Sequence, residues 1–259
     1  MQRIALDSER LVAESDGPVG WLTFDHPERH NALTNEMQRA LPVAFDAFQR
    51  EASVRVVVMR GAGDRAFVSG ADIHEFHEAE PGAGARQARA DLLPLDKPLI
   101  AMIHGYCIGG GLAVALGADL RIAAADARFA IPAARLGVGY PFGAVDTLVS
   151  LVGPACAAEI LFTGQRLSAE EALAMGLVNR VVPKAALEPT VRELASRIAA
   201  NAPLSVRAAK IGIANAKRPP GQRDLAACEA AIAACLASED HQEGIRAFLE
   251  KRTPRFRGR

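Results

Sequence analysis

Lys97-Pro-Leu-Ile-Ala-Met-Ile-His-Gly-Tyr-Cys-Ile-Gly-Gly-Gly111 decides how this chain is read. Residues 98–104 are apolar almost throughout and short, which predicts a strand covered on both faces. Three glycines follow, and Leu-Ala-Val-Ala-Leu116 after them predicts a helix over residues 110–117. A strand, a glycine-rich turn and a helix start leave backbone N–H groups without helical partners, and the helix dipole adds positive potential there. Such a junction suits an anion or a developing negative charge. It equally suits a tight helix start packed on a strand with no ligand. The spacing is not Gly-x-Gly-x-x-Gly, so a dinucleotide site is poorly supported. No Gly-Lys-Ser/Thr follows, which excludes a P-loop, and the absence of Gly-x-Ser-x-Gly argues against a nucleophile elbow.

A second junction of the same kind lies upstream. Residues 54–60 (VRVVVMR) predict a strand, and Arg65-Ala-Phe-Val-Ser-Gly-Ala-Asp-Ile73 runs from it into a helical stretch at residues 73–77. Gly70 permits a sharp turn, after which Ala71 offers a free N–H. Two such N–H groups, if the fold brings them together, form an oxyanion hole.

Outward from these junctions, strands are predicted at residues 19–24 and 120–123 and a helix at 36–50. Strand–helix alternation implies crossover units and a largely parallel sheet. Ser168-Ala-Glu-Glu171 is a capping box opening a helix that Gly176 ends, and residues 185–199 carry apolar residues at helical spacing. Beyond residue 196 strand signals vanish, and alanine-rich helical text runs to the end, interrupted at Lys217-Arg-Pro-Pro-Gly221. The expected organisation is an α/β core over residues 1–195 and an all-helical segment over 196–259.

Composition narrows the function. Half of the 259 residues are hydrophobic, and Lys+Arg and Asp+Glu both number 30. That balance offers no electrostatic reason to expect nucleic acid or a membrane surface as partner. The charged N-terminal stretch lacks the apolar core of a signal peptide, and no apolar run reaches the roughly 18 residues that span a bilayer. Cys107, Cys156, Cys228 and Cys235 form no metal-ligand spacing. Reduced, mostly buried thiols in a cytoplasmic protein are expected.

Taken together, the motifs resemble the crotonase, or enoyl-CoA hydratase/isomerase, family. Phe67-Val-Ser-Gly-Ala-Asp-Ile73 is similar to its F-x-x-G-A-D-I element, and residues 97–111 to its K-P-x-I-A-x-x-x-G-x-x-x-G-G-G element. His30-Asn-Ala-Leu33, Leu161-Phe-Thr-Gly164, residues 172–182 and residues 243–252 continue the likeness. The resemblance implies a spiral of ββα units with a helical C-terminal trimerisation segment, assembled as a homotrimer or hexamer. It implies an acyl-CoA substrate, with coenzyme A entering as part of that substrate and no other cofactor or metal. The oxyanion donors would be the N–H groups of Ala71 and Gly110. Arg29, Ala32, Leu33, Gly70, Ile73 and Gly109 would line the substrate site, with Phe248 and Lys251 reaching the coenzyme A adenine and phosphates.

The departures matter as much. Hydratases of the family carry two glutamates; the corresponding positions here are Ala113 and Ala133. A methyl group neither activates water nor moves a proton. The dehalogenase branch has an aspartate where Pro141 falls. Leu136-Gly-Val-Gly-Tyr140 resembles an element of the methylmalonyl-CoA decarboxylase branch, as do Asp72-Ile-His-Glu75 and Ser238–Gly244, although that branch has a histidine at Ala71. Loss of CO₂ yields the enolate without a base, and Tyr140 could orient the departing carboxylate or supply a proton. Decarboxylase or other C–C lyase chemistry is therefore the leading expectation. A hydratase or isomerase with a relocated acid/base and a non-catalytic acyl-CoA-binding trimer are the alternatives. His74, Glu75, His77, Asp146 and Thr147 are further polar candidates, and residues 75–94 form the expected cover over the acyl tail.

Overall fold

The structure, a computed structural model, describes residues 1–72, 75 and 95–259. Seven strands form the larger sheet: β1 Gln2–Ile4, β2 Leu11–Asp16, β3 Val19–Phe24, β4 Val56–Gly61, β6 Leu99–Ile103, β8 Leu120–Ala124 and β11 Arg180–Val182, hydrogen-bonded in that order. The first two pairings are antiparallel and the remaining four parallel. A smaller sheet has the order β10-β9-β7-β5, made of Leu167–Ser168, Arg128–Ala130, Tyr106–Ile108 and Ala66–Val68.

Every residue of β3 and β6 is buried because both faces of the larger sheet are covered. Leu22, Phe24, Val57, Met59, Ala101 and Ile103 face one core, shared with Phe45 and Phe48 of α1 (Asn35–Arg50). The alternating Trp21, Val56, Val58, Ile100 and Met102 face a second, shared with Leu187, Val191 and Ala195. Those three lie on the helix Lys184–Ala199, called α6 below. The two-residue period of the strands thus divides the chain's apolar residues between two layers.

Four helices follow among these strands along the chain: α2 (Gly110–Leu116), α3 (Ala133–Leu136), α4 (Phe142–Thr163) and α5 (Ala169–Ala174). The capping box of α5 forms in full, with the Ser168 side chain and Glu171 bonded reciprocally to backbone N–H groups. After α6, the described residues form no strand: α7 (Pro203–Ala216), α8 (Leu225–Leu236) and α9 (Glu239–Leu249) complete the chain. The expected division at 195/196 falls inside α6. Arg55 fastens the tail to the core, its guanidinium donating to the carbonyls of Ala199 and Phe256 at 3.0 and 2.7 Å. The helical segment leaves Ile213, Leu236, Phe248 and Leu249 exposed.

Three expectations need correcting. The strand predicted at 54–60 begins two residues later, because its regular pairing starts opposite Val19, with the Arg55 and Val56 N–H groups both directed at the Pro18 carbonyl, at 2.8 and 3.3 Å. Of the four cysteines only Cys107 is buried, the others being half-buried on the helices. And α4 is long and apolar enough to cross a membrane, with mean hydropathy 1.6 over 18 residues. It is broken at Gly153 (φ 75°, ψ 165°) into two pieces, which bury Ala144, Leu148, Ala157 and Ile160 and leave Phe142 and Phe162 exposed.

Candidate active site

The two glycine junctions lie against each other. At the first, β5 ends and Gly70 turns the chain at φ 122°. Leu33 clamps this turn: its N–H donates to the Gly70 carbonyl at 2.8 Å, and its carbonyl accepts from the Asp72 N–H at 2.9 Å. The pairing is an isolated parallel bridge centred on Leu33 and Ala71. It uses the groups on either side of Ala71, so the Ala71 N–H turns away from Leu33 and has no acceptor among the described residues.

At the second junction β7 runs into α2. Gly109 caps the helix with φ 53° and ψ −115°, and its N–H donates to the Ala130 carbonyl at 2.8 Å. Gly110 is the first helical residue, so its N–H has no acceptor within the helix. A Cβ on Gly110 would stand 3.6 Å from the Ala71 nitrogen and 3.4 Å from Leu33 Cδ1. The two backbones therefore converge, and the volume a methyl group would fill is free for a ligand atom. Gly111 is required for another reason: a Cβ there would fall 2.1 Å from the Val68 carbonyl oxygen. Its absence lets α2 press on the end of β5.

Two N–H groups that open on one space at a helix start would stabilise negative charge developing on an oxygen. The surrounding wall is apolar where acid/base groups were sought. Ala113 and Ala133 are buried. Cys107 is buried as well, and its thiol is pushed far up by desolvation, so it serves as packing. Tyr140 is half-buried, and its hydroxyl donates to the Gly109 carbonyl at 3.1 Å. Burial also pushes the Tyr140 pKa well above the phenol range, so the phenol keeps its proton. That proton, expected from sequence to serve a departing carboxylate, is directed at the backbone.

Other candidates separate in the same way. Arg29 is exposed, and its carbonyl accepts from the Ser69 hydroxyl at 3.3 Å, which sets it at the rim of the first junction. Ala32 and Leu33 are buried beside Gly70. The Glu75 carboxylate accepts from the Asn35 N–H at 2.5 Å, at the start of α1. Asp146 is exposed, and the Thr147 hydroxyl donates back to Gly143 within α4, so neither joins the hole. Phe248 and Lys251 lie on α9 and its following turn, and no hydrogen bond among the described residues ties them to the hole. Ile73, His74, His77 and most of the expected cover over residues 75–94 lie outside the described residues. Among those described, no group of three or more His, Cys, Asp or Glu could hold a metal ion.

Sequence reasoning missed Asn31. It is fully buried with a left-handed φ of 56°, its amide nitrogen donating to the carbonyls of Ala62 and Ala66 at 2.9 and 2.7 Å. Its side-chain oxygen accepts from the His26 N–H at 2.9 Å. Asn31 thereby fixes the loop that presents Leu33 to Gly70. An asparagine next to a predicted site, at a turn, was the available signal.

This arrangement, two glycine junctions meeting where a mixed sheet adjoins a small second sheet, is that of the crotonase fold. The family model for enoyl-CoA hydratase/isomerase matches residues 14–259. The chain is 34% identical over 253 residues to a short-chain-enoyl-CoA hydratase of Clostridium acetobutylicum, covering 95% of this chain and 97% of that protein. It is 36% identical over 261 residues to a carnitinyl-CoA dehydratase of Salmonella enteritidis, covering 97% of this chain and all of the relative. The solved enoyl-CoA hydratase of Bacillus anthracis superposes with a TM-score of 0.91 at 32% identity, over 97% of this chain and 100% of that one. The chain belongs to the enoyl-CoA hydratase/isomerase, or crotonase, family of enzymes.

Proposed function

We propose that this enzyme binds an acyl-CoA thioester with its carbonyl oxygen between the N–H groups of Ala71 and Gly110, and that it works through the enolate. The observation that carries the reading is the 3.6 Å approach of the Gly110 Cβ position to the Ala71 nitrogen. Charge appears on the thioester oxygen as the enolate forms, so preorganised donors stabilise the transition state more than the ground state. Leu33, Gly70 and Gly109 shape the hole, Ala32 and Arg29 flank it, and Ile73 continues the same segment. Phe248 and Lys251 serve coenzyme A from the helical segment, which joins subunits in a homotrimer or hexamer. Coenzyme A arrives with the substrate, no separate cofactor takes part, and the enzyme works in the cytoplasm.

Decarboxylation or another C–C cleavage is the reaction that suits this wall. Breaking the bond between the α-carbon and the departing carboxylate releases CO₂ and leaves the electron pair in the enolate, so no residue has to remove an α-proton. Ala113 and Ala133 offer none that could. The α-carbon then takes a proton from water. The competing reading is hydration or dehydration by relocated groups, favoured by the names of the two relatives.

A mass-spectrometric assay with crotonyl-CoA and methylmalonyl-CoA side by side separates them. Conversion of methylmalonyl-CoA to propionyl-CoA alone supports decarboxylation. Hydration of crotonyl-CoA at an ordinary enzymatic rate overturns it. Turnover of neither, with tight coenzyme A binding, favours the non-catalytic binder.

A further inference from the structure

The two amides that open on the hole are held from behind in different ways. The peptide joining Gly70 to Ala71 has its carbonyl on one donor, the Leu33 N–H at 2.8 Å. The peptide joining Gly109 to Gly110 has its carbonyl on two: the Ala113 N–H and the Tyr140 hydroxyl, each at 3.1 Å. Among the described residues, Tyr140 is the one side chain that bonds either amide. It arrives from outside the junction, between α3 and α4, and Pro141 after it confines its backbone to extended conformations.

A peptide unit is planar and conjugated. Electron density drawn toward a hydrogen-bonded carbonyl oxygen comes partly from the nitrogen and makes the N–H a stronger donor; chains of hydrogen bonds reinforce one another in this way. Gly109 holds φ 53° and ψ −115°, a conformation that does not fix itself, so the plane of this amide depends on its partners.

We propose that Tyr140 is a positioning residue that fixes and polarises the Gly110 N–H through the Gly109 carbonyl. It acts on the donor, without touching the acyl group. The proposal rests on the reading of the hole as a thioester oxygen site. The apolar surroundings of the phenol serve it, since they exclude water that would compete for the Gly109 oxygen.

The test uses acetyl-CoA labelled with ¹³C at the thioester carbonyl, bound to the full-length enzyme, with the carbonyl stretch read by isotope-edited Raman difference spectroscopy. Binding to the unaltered enzyme lowers the stretch relative to free acetyl-CoA. Tyr140→Phe keeps the coenzyme A affinity measured by calorimetry but loses roughly 10–30% of that shift, the share one reinforcing bond contributes. Replacing Tyr140 with 3-fluorotyrosine, a more acidic phenol of nearly the same shape, enlarges the shift, and this variant stands in if the phenylalanine form does not fold. An identical stretch in the unaltered and substituted enzymes, all with acetyl-CoA bound, overturns the proposal and leaves Tyr140 as a wall residue. A stretch unshifted in the unaltered enzyme with acetyl-CoA bound would sink the oxyanion reading itself, and the positioning role with it.

Discussion

The junction after β5 and the junction after β7 meet at one place and are built from different materials. The first turns on Gly70 and then presents Ala71, a residue with a side chain; Leu33, bonded to both neighbours of Ala71, supplies the rigidity. The second has three glycines in a row because three demands coincide there: a left-handed backbone at Gly109, an open volume at Gly110 and a helix pressed on Val68 at Gly111. Where a neighbouring strand clamps the backbone, one glycine suffices. Where a helix starts against a strand and must also leave room for substrate, each position carries its own steric requirement.

Alanine substitutions separate those demands. Gly111→Ala puts a methyl group 2.1 Å from the Val68 oxygen, both on rigid elements, and should cost about 3 kcal/mol or more, read as a large fall in melting temperature. A variant as stable as the parent would break the claim that α2 is jammed against β5. Gly110→Ala should melt close to the parent, because its methyl group meets Leu33 Cδ1 at 3.4 Å, yet lose about 100- to 1,000-fold in turnover by occupying the hole. Unchanged turnover would mean that the substrate oxygen sits elsewhere.

Gly109→Ala meets nothing closer than Pro132 Cδ at 3.9 Å, so its cost should be conformational alone, about 1–3 kcal/mol in a melting experiment. The smallest expected effect concerns His104, whose carbonyl accepts the Phe67 N–H at 2.8 Å and so ties the corner before β7 to β5. Its ring is buried, and burial, with the Lys184 charge second, depresses its pKa below the ordinary 6.5, against the pull of Asp126 and Asp64. The unfolded chain then takes up a proton before the folded one does. The histidine's neutral, stabilising contribution is whole above about pH 6.5 and is lost as the pH falls from there toward the depressed value. His104→Gln should flatten stability against pH in that interval, and an unchanged slope would show that other groups produce it.

Long buried elements were legible in the sequence: β3, β6 and α1 announce themselves by continuous apolar runs or helical spacing. So were the two strand–glycine turns, but not that they meet, which depends on chain distant in sequence. The small sheet was not. Its strands β5, β7 and β9 have three residues each, too few to display a two-residue period, and their pairing depends on chain distant in sequence. Asn31 was missed for a similar reason: its value lies in carbonyls at positions 62 and 66. Tyr140 was singled out, but its partner was not, because a backbone carbonyl carries no residue-specific mark. The break of α4 at Gly153 is likewise something hydropathy alone does not register.

Both donors proposed for the hole are main-chain nitrogens, and that has a consequence for how such an enzyme changes over time. No single-codon replacement can delete a peptide N–H except by introducing proline, so the charge-stabilising apparatus is largely insulated from side-chain drift. The wall at Ala113, Ala133 and Tyr140 has no such insulation. A scaffold built this way can exchange one reaction for another by altering a few wall residues, while the feature common to all of those reactions stays in place.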